Sequence, residues 1–130
     1  RTIAAMRERP HGLIFTNLVG FDALYGHRRD PIGYAKALAE FDARLPELRA
    51  ALAPGDVLML VSDHGNDPTF PGTDHTREHG LLLVTGDRVV PRPIPTRDSF
   101  ADLGATVAEL LGVTWDGAGV SFARQLVRAH

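Results

Sequence analysis

The sequence predicts an α/β fold, a mostly parallel sheet layered with helices, from three observations. Two short apolar runs rich in β-branched and aromatic residues, 13–19 (LIFTNLV) and 57–61 (VLMLV), read as buried strands. Helical patterns alternate with them, as layered α/β domains require. Acidic and imidazole side chains gather just after each run, where open α/β sheets carry their functional residues.

The elements follow in order. After the first run, Asp30-Pro31 predicts a helix start, with Asp30 as N-cap and Pro31 at the first helical position. Leu38, Phe41, Leu45, Leu48 and Leu52 then draw one helical stripe, expected to face the core. Pro46 lacks an N–H and is expected to kink that helix or begin a second one. Pro54-Gly55 ends the segment. The run 57–61 is apolar throughout, which suits a parallel strand covered on both faces. Residues 62–80 are polar and rich in Gly, Pro, Asp and His, and a loop that long is usually functional. Residues 81–84 predict a third strand. Val89-Val90 predict a brief edge strand, because Pro91, Pro93 and Pro95 forbid a central one. Ser99 caps a helix with Leu103, Val107, Leu110 and Leu111 on one face and Gly112 at its end. Residues 121–128 predict a final short helix.

The composition narrows the classes. Apolar residues make up 44% of 130, enough for one domain with a core and against disorder. The net charge of −2 and the absence of a basic run argue against a nucleic-acid partner. With no cysteine, disulfides, thiolate metal sites and a cysteine nucleophile are excluded. No apolar run approaches the roughly 20 residues of a membrane span. The opening Arg1-Thr2-Ile3-Ala4-Ala5-Met6 reads as mid-protein sequence, so residues 1–130 are expected to form one partial domain of a longer parent.

Three acid–histidine clusters carry the chemistry. Ser62-Asp63-His64-Gly65-Asn66-Asp67 follows the second strand, and there a carboxylate and an imidazole offer one oxygen and one nitrogen to a divalent metal. Gly65 permits a sharp backbone turn beneath the ion. A lone Asp-His pair is more often a solvated cap. However, Asp22 and His27 follow the first strand, and Asp74-His75 lies late in the long loop. Two carboxylates and three imidazoles would serve one ion, or two ions if other ligands join.

Neighbouring residues have plainer readings. Arg28, Arg29 and Arg77 are expected in structural pairs with Asp30, Asp74 or Glu78 rather than on a phosphate. Asp67 and Asp74 are either partners that orient imidazoles or turn residues. Thr73 and Thr76 are expected to shape the loop. His79 is placed near the site but not as a ligand, and His11 and His130 in solvent. Trp115 reads as a partly buried ring in a turn with Asp116 and Gly117.

At residues 21–30 (FDALYGHRRD) and 63–78 (DHGNDPTFPGTDHTRE) the sequence resembles the phosphopentomutases, and 96–104 (TRDSFADLG) is similar to that family's penultimate helix region. The resemblance spans about Leu13 to Phe122. It implies an alkaline-phosphatase-like core, here its carboxy-terminal part, and two manganese ions, with Zn²⁺ or Mg²⁺ as substitutes. Matched by motif, Asp22, His27 and His75 would ligate one ion, and Asp63 and His64 the other. The family completes the second ion with an Asp near its amino terminus and bridges both with a phosphoryl-carrying threonine. Neither has a matching motif here, nor does the sugar-binding cap domain. Gly20 and Gly80 depart from the family's usual acidic and bulkier residues, away from the ligand positions. The implied activity is transfer of a phosphoryl group between the 1- and 5-positions of ribose or deoxyribose phosphate, through a phosphothreonine enzyme and a bisphosphate. The implied role is in nucleotide metabolism, in the cytoplasm. The 130 residues alone are expected to be inactive. Expected partners are the pentose phosphate, and either a second copy or the missing amino-terminal segment on exposed apolar surface, with no nucleic acid or membrane. Two other readings stay open: a metal-binding accessory fragment without catalysis, and a metal-dependent phosphatase of the same superfamily.

Overall fold

The computed structural model describes residues 1–127. The chain opens with a helix that the sequence reading did not anticipate, α1 (Thr2–Glu8). Residues 13–18 then run without helix or strand, and Leu13 and Phe15 are 62% and 79% exposed. The strand expected at 13–19, and its parallel pairing with 57–61, are therefore absent among the described residues. A strand exists by hydrogen bonding to a neighbour, and no neighbouring edge lies beside this segment. Its described side-chain tie is a hydroxyl contact of 3.0 Å between Thr16 and Thr2.

A π-helix, Phe21–Gly26, follows. It packs on α2 (Pro31–Ala50) through Phe21, whose ring lies 6.2 Å from those of Tyr34 and Phe41. The start of α2 is as expected: the Asp30 carboxylate accepts from Gly33 N–H at 2.8 Å and Pro31 opens the helix. Its course corrects two expectations: no second helix begins at Pro46, and the leucine stripe is not core. The helix runs through Pro46 without a break, because Pro46 and the Asp42 one turn before it both face solvent. Water there can take the carbonyl that the missing N–H leaves free. Nor is the leucine stripe core: no residue of α2 is buried, and Leu38 is 48% exposed.

Strands β1 (Leu58–Val61) and β2 (Leu82–Thr85) form a two-stranded antiparallel sheet, with Leu58 opposite Thr85 and Val61 opposite Leu82. It is the one sheet among the described residues, in place of the expected parallel one. Its two strands run antiparallel because of their connection: parallel neighbours need a crossover, usually helical. Residues 62–81 hold no helix, so the chain folds straight back. Ser62 N–H donates to the Leu81 carbonyl at 3.1 Å and Leu81 N–H to Ser62 Oγ at 2.7 Å, closing the loop's neck.

The expected edge strand at Val89-Val90 is reduced to a bridge between Val89 and Val127, beside a 2.7 Å bond from Val90 N–H to Leu126 O. Helix α3 (Ala101–Leu111) begins under Ser99, whose Oγ accepts from Ala101 N–H, and ends at Gly112 in the left-handed region (φ +66°). The final helix, α4 (Ala123–Leu126), is shorter than expected, and Arg128 and His130 lie outside the described residues. The core sits here. Ala105 and Ala108 of α3 are buried, as are Phe122, Ala123 and Leu126, and α3 packs on α4. Thr106, fully buried, donates to Asp102 O at 2.6 Å and accepts from Phe122 N–H at 3.0 Å. Asp102 holds Arg97 and Val120 N–H, tying 97–120 onto α3.

Candidate metal centre

The site grows from two places, the turn 22–29 and the loop that leaves β1. Residues five apart on an α-helix diverge by about 140° around its axis. The wider π turn between Asp22 and His27, closed by a 3.0 Å bond from His27 N–H to Asp22 O, brings them together instead. His27 Nε2 lies 3.2 Å from Asp22 Oδ2. Gly26 is buried between them, where a Cβ would strike the Asn66 amide.

From the other side, β1 ends at Val61 and delivers Asp63 and His64 directly. Gly65 pairs with Thr76 across the loop. Its need for glycine is one of close approach, because a Cβ would lie 2.5 Å from the Glu78 carbonyl carbon. Thr76 Oγ1 accepts from Asp67 N–H at 2.6 Å, as expected of a residue that shapes the loop. This crossing of the loop places His75 above His64, their rings stacked at 3.5 Å.

Four of the five residues singled out from the sequence thus meet. His75 Nε2 is 3.5 Å from Asp22 Oδ1 and 3.2 Å from His27 Nε2, and ligand atoms of Asp22, His64 and His75 lie within 4.8 Å of one another. Asp63 stands apart: its carboxylate is 88% exposed, 3.6 Å from His64 Nε2.

The donor set fits a divalent cation on two counts. Bonds of about 2.0–2.1 Å at tetrahedral angles put neighbouring ligand atoms about 3.3–3.4 Å apart; the two imidazole Nε2 atoms of His27 and His75 lie 3.2 Å apart, and each faces a different oxygen of the Asp22 carboxylate, His27 facing Oδ2 at 3.2 Å and His75 facing Oδ1 at 3.5 Å. Asp22 Oδ1 is also buried without a hydrogen-bond partner. An unsatisfied buried carboxylate oxygen is costly, and a cation would satisfy it.

The sequence of the metalloenzyme superfamily matches over residues 1–114. The chain belongs to that superfamily. Its relatives include phosphopentomutases from Deinococcus radiodurans (58% identical, 97% of this chain and 32% of the relative) and Methylobacterium radiotolerans (61% identical, 85% and 27%). A third, from Symbiobacterium thermophilum, is 60% identical over 92% of this chain and 30% of the relative. The chain spans about a third of the length of these curated relatives. They bear out the phosphopentomutase resemblance drawn from the two long motifs.

The residues around the cluster have observed roles. Asp67 is a turn residue, its carboxylate accepting from the Thr69 hydroxyl and N–H at 2.7 and 2.8 Å. Those bonds, with a smaller contribution from the nearby Arg29 charge, lower its pKa. Asp74 contributes its carbonyl, to Arg29. His79 lies along a separate groove of about 600 Å³ between β2 and residues 92–100. Trp115 is 46% exposed and donates to Ala118 O at 2.9 Å. The expected Arg29 ion pair is corrected: its guanidinium binds the Gly72, Asp67 and Asp74 carbonyls and Asn66 Oδ1. Nothing in the sequence separates Arg29 from Arg28, and only the backbone turn aims one of them into the loop. Asn66, also passed over, places a buried amide Nδ2 without a partner beside Gly26.

Proposed function

We propose that this chain carries part of the two-metal site of a phosphopentomutase, which interconverts ribose (or deoxyribose) 1-phosphate and 5-phosphate through a phosphothreonine enzyme and a bisphosphate. The observation that carries the reading is the meeting of Asp22, His27 and His75 at ligand spacing, with Asp22 Oδ1 otherwise unpartnered. Asp22, His27 and His75 would hold one manganese ion. Asp63 and His64 would contribute to the other. Bound there, two divalent ions would lower the charge on the phosphoryl group and keep attacking and leaving oxygens in line.

The chain's own residues orient the set. The backbone carbonyl of Thr73 meets His27 Nδ1, which fixes the ring so that Nε2 faces Asp22. The stacked His64 ring limits the motion of His75. In the superfamily fold, 13–19 would serve as a strand of a larger, mostly parallel sheet, which accounts for its exposed apolar side chains. A cytoplasmic setting accords with this substrate, and no helix among the described residues is long and apolar enough to cross a membrane.

The test is conversion of ribose 1-phosphate to ribose 5-phosphate with Mn²⁺ and a sugar bisphosphate, by the intact protein and by residues 1–130 alone. The intact protein is expected to turn over, and Asp22→Asn and His75→Ala to abolish turnover. Residues 1–130 alone are expected to be inactive and to regain activity with the amino-terminal segment. Release of inorganic phosphate in place of isomerisation would make the protein a phosphatase. Manganese binding without either reaction would make it an accessory metal-binding chain.

A further inference from the structure

We infer that Arg29 is a positioning residue of the metal centre: its guanidinium holds the tip of the 66–76 loop so that His75 reaches Asp22 and His27. The inference rests on reading that cluster as a metal site. Arg29 is the one non-glycine residue with positive φ (+53°) among those described. That conformation is unfavourable for a side chain with a Cβ and persists only where surroundings over-determine it. Here it turns the side chain back beneath the loop. The Nη1 group donates to Asn66 Oδ1 and Asp67 O, both at 2.9 Å, while Nε donates to Gly72 O and Nη2 to Asp74 O. The four acceptors lie on residues 66–74 of the loop, the last of them on the residue before His75.

Every acceptor is neutral, and Arg29 is in none of the described ion pairs. The charge therefore serves a fork of directed donors rather than a carboxylate. Residues 68–75 have no helix or strand of their own. Apart from Arg29 and the contacts of His75 itself, the described hydrogen bond that reaches residues 68–75 from outside the loop is that of His27 to Thr73 O. Both anchors sit on one turn, so the turn that presents His27 also sets where His75 lies. Lysine cannot replace the fork, because three donors on one nitrogen cannot reach acceptors spread over nine residues of backbone. Arg28, by contrast, is exposed and makes no described hydrogen bond.

The test compares the intact protein with Arg29→Ala, Arg29→Lys and Arg28→Ala. Mn²⁺ affinity is read from the electron paramagnetic resonance of free ion, and loop order from amide exchange of the metal-free protein. The environment of bound metal is read from the visible spectrum of Co²⁺-substituted protein. Removing groups that orient metal ligands lowers affinity by about 10–100-fold. Both Arg29 variants are expected to fall in that range, to exchange faster at 66–76 but not in Ala101–Leu111, and to alter the Co²⁺ spectrum. Guanidinium added to Arg29→Ala is expected to recover affinity, and Arg28→Ala to match wild type. Wild-type affinity and loop exchange in either Arg29 variant would overturn the inference. If Arg29→Ala loses protection in Ala101–Leu111 as well, Arg29→Lys decides by the same two readings. If wild-type protein binds no Mn²⁺, the metal reading has failed, and the exchange measurement still decides whether Arg29 holds the loop.

Discussion

Gly65→Ala tests how tightly the loop crossing sets the site. The added Cβ would lie 2.5 Å from the carbonyl carbon and 2.9 Å from the Cα of Glu78, with the carbonyl oxygen closer still. Carbon atoms rest about 3.5 Å apart or more, so the two strands of the loop must separate by about 1 Å. The obstacle is backbone and cannot rotate aside. Overpacking of this kind costs about 1–3 kcal/mol. The displacement falls where Gly65 pairs with Thr76, and their neighbours are His64 and His75, whose rings are stacked at 3.5 Å. A misplacement of about 1 Å at reacting groups can cost about 100-fold in rate. On the proposed function, Gly65→Ala should therefore lose about two orders of magnitude in mutase turnover by the intact protein, and bind Mn²⁺ more weakly. Gly20→Ala is the control, because its Cβ would meet Leu24 at an ordinary 3.8 Å. It should change stability by less than about 0.5 kcal/mol. Wild-type turnover, Mn²⁺ affinity and melting temperature in Gly65→Ala would refute the claim that this crossing places His64 and His75.

Other perturbations probe the core and the charges. Thr106→Val leaves the buried Phe122 N–H without its acceptor and should cost about 1–3 kcal/mol in denaturant unfolding; Thr106→Ser should recover most of it. Phe122→Ala, at a side chain 1% exposed, should cost about 3–5 kcal/mol by the same measurement. The bond from Val120 N–H, then those of Arg97, lower the pKa of Asp102. Its contribution is therefore present above the ordinary aspartate value of about 3.9 and is lost as pH falls through the lower folded value. Asp102→Asn should flatten that part of an acid-unfolding curve, and an unchanged curve would remove Asp102 from the account. Chelation should lower the melting temperature of manganese-loaded intact protein by mass action, and Asp22→Asn should abolish that difference. Manganese affinity should also weaken on acidification, since an imidazole must shed its proton to bind metal.

The sequence by itself determined the chemistry and the local signals. Asp30-Pro31 set the start of α2 and Gly112 the end of α3, because caps act within one turn of backbone. Two motif stretches, 21–30 and 63–78, pointed to the metalloenzyme relatives and to the residues that meet. Strand pairing was not legible. The run 13–19 has the composition of a strand, but composition cannot supply the neighbour that a strand needs. The direction of β1 and β2 followed from a loop with no crossover helix. Burial of the α2 stripe likewise depended on what packs against it. Only the tertiary structure decided that Asp22 and His27 share a face, since that takes a π turn rather than an α turn. It alone distinguished Arg29 from Arg28. The positive φ at Arg29 becomes worthwhile only once loop carbonyls, up to 45 residues away, stand ready to accept from it.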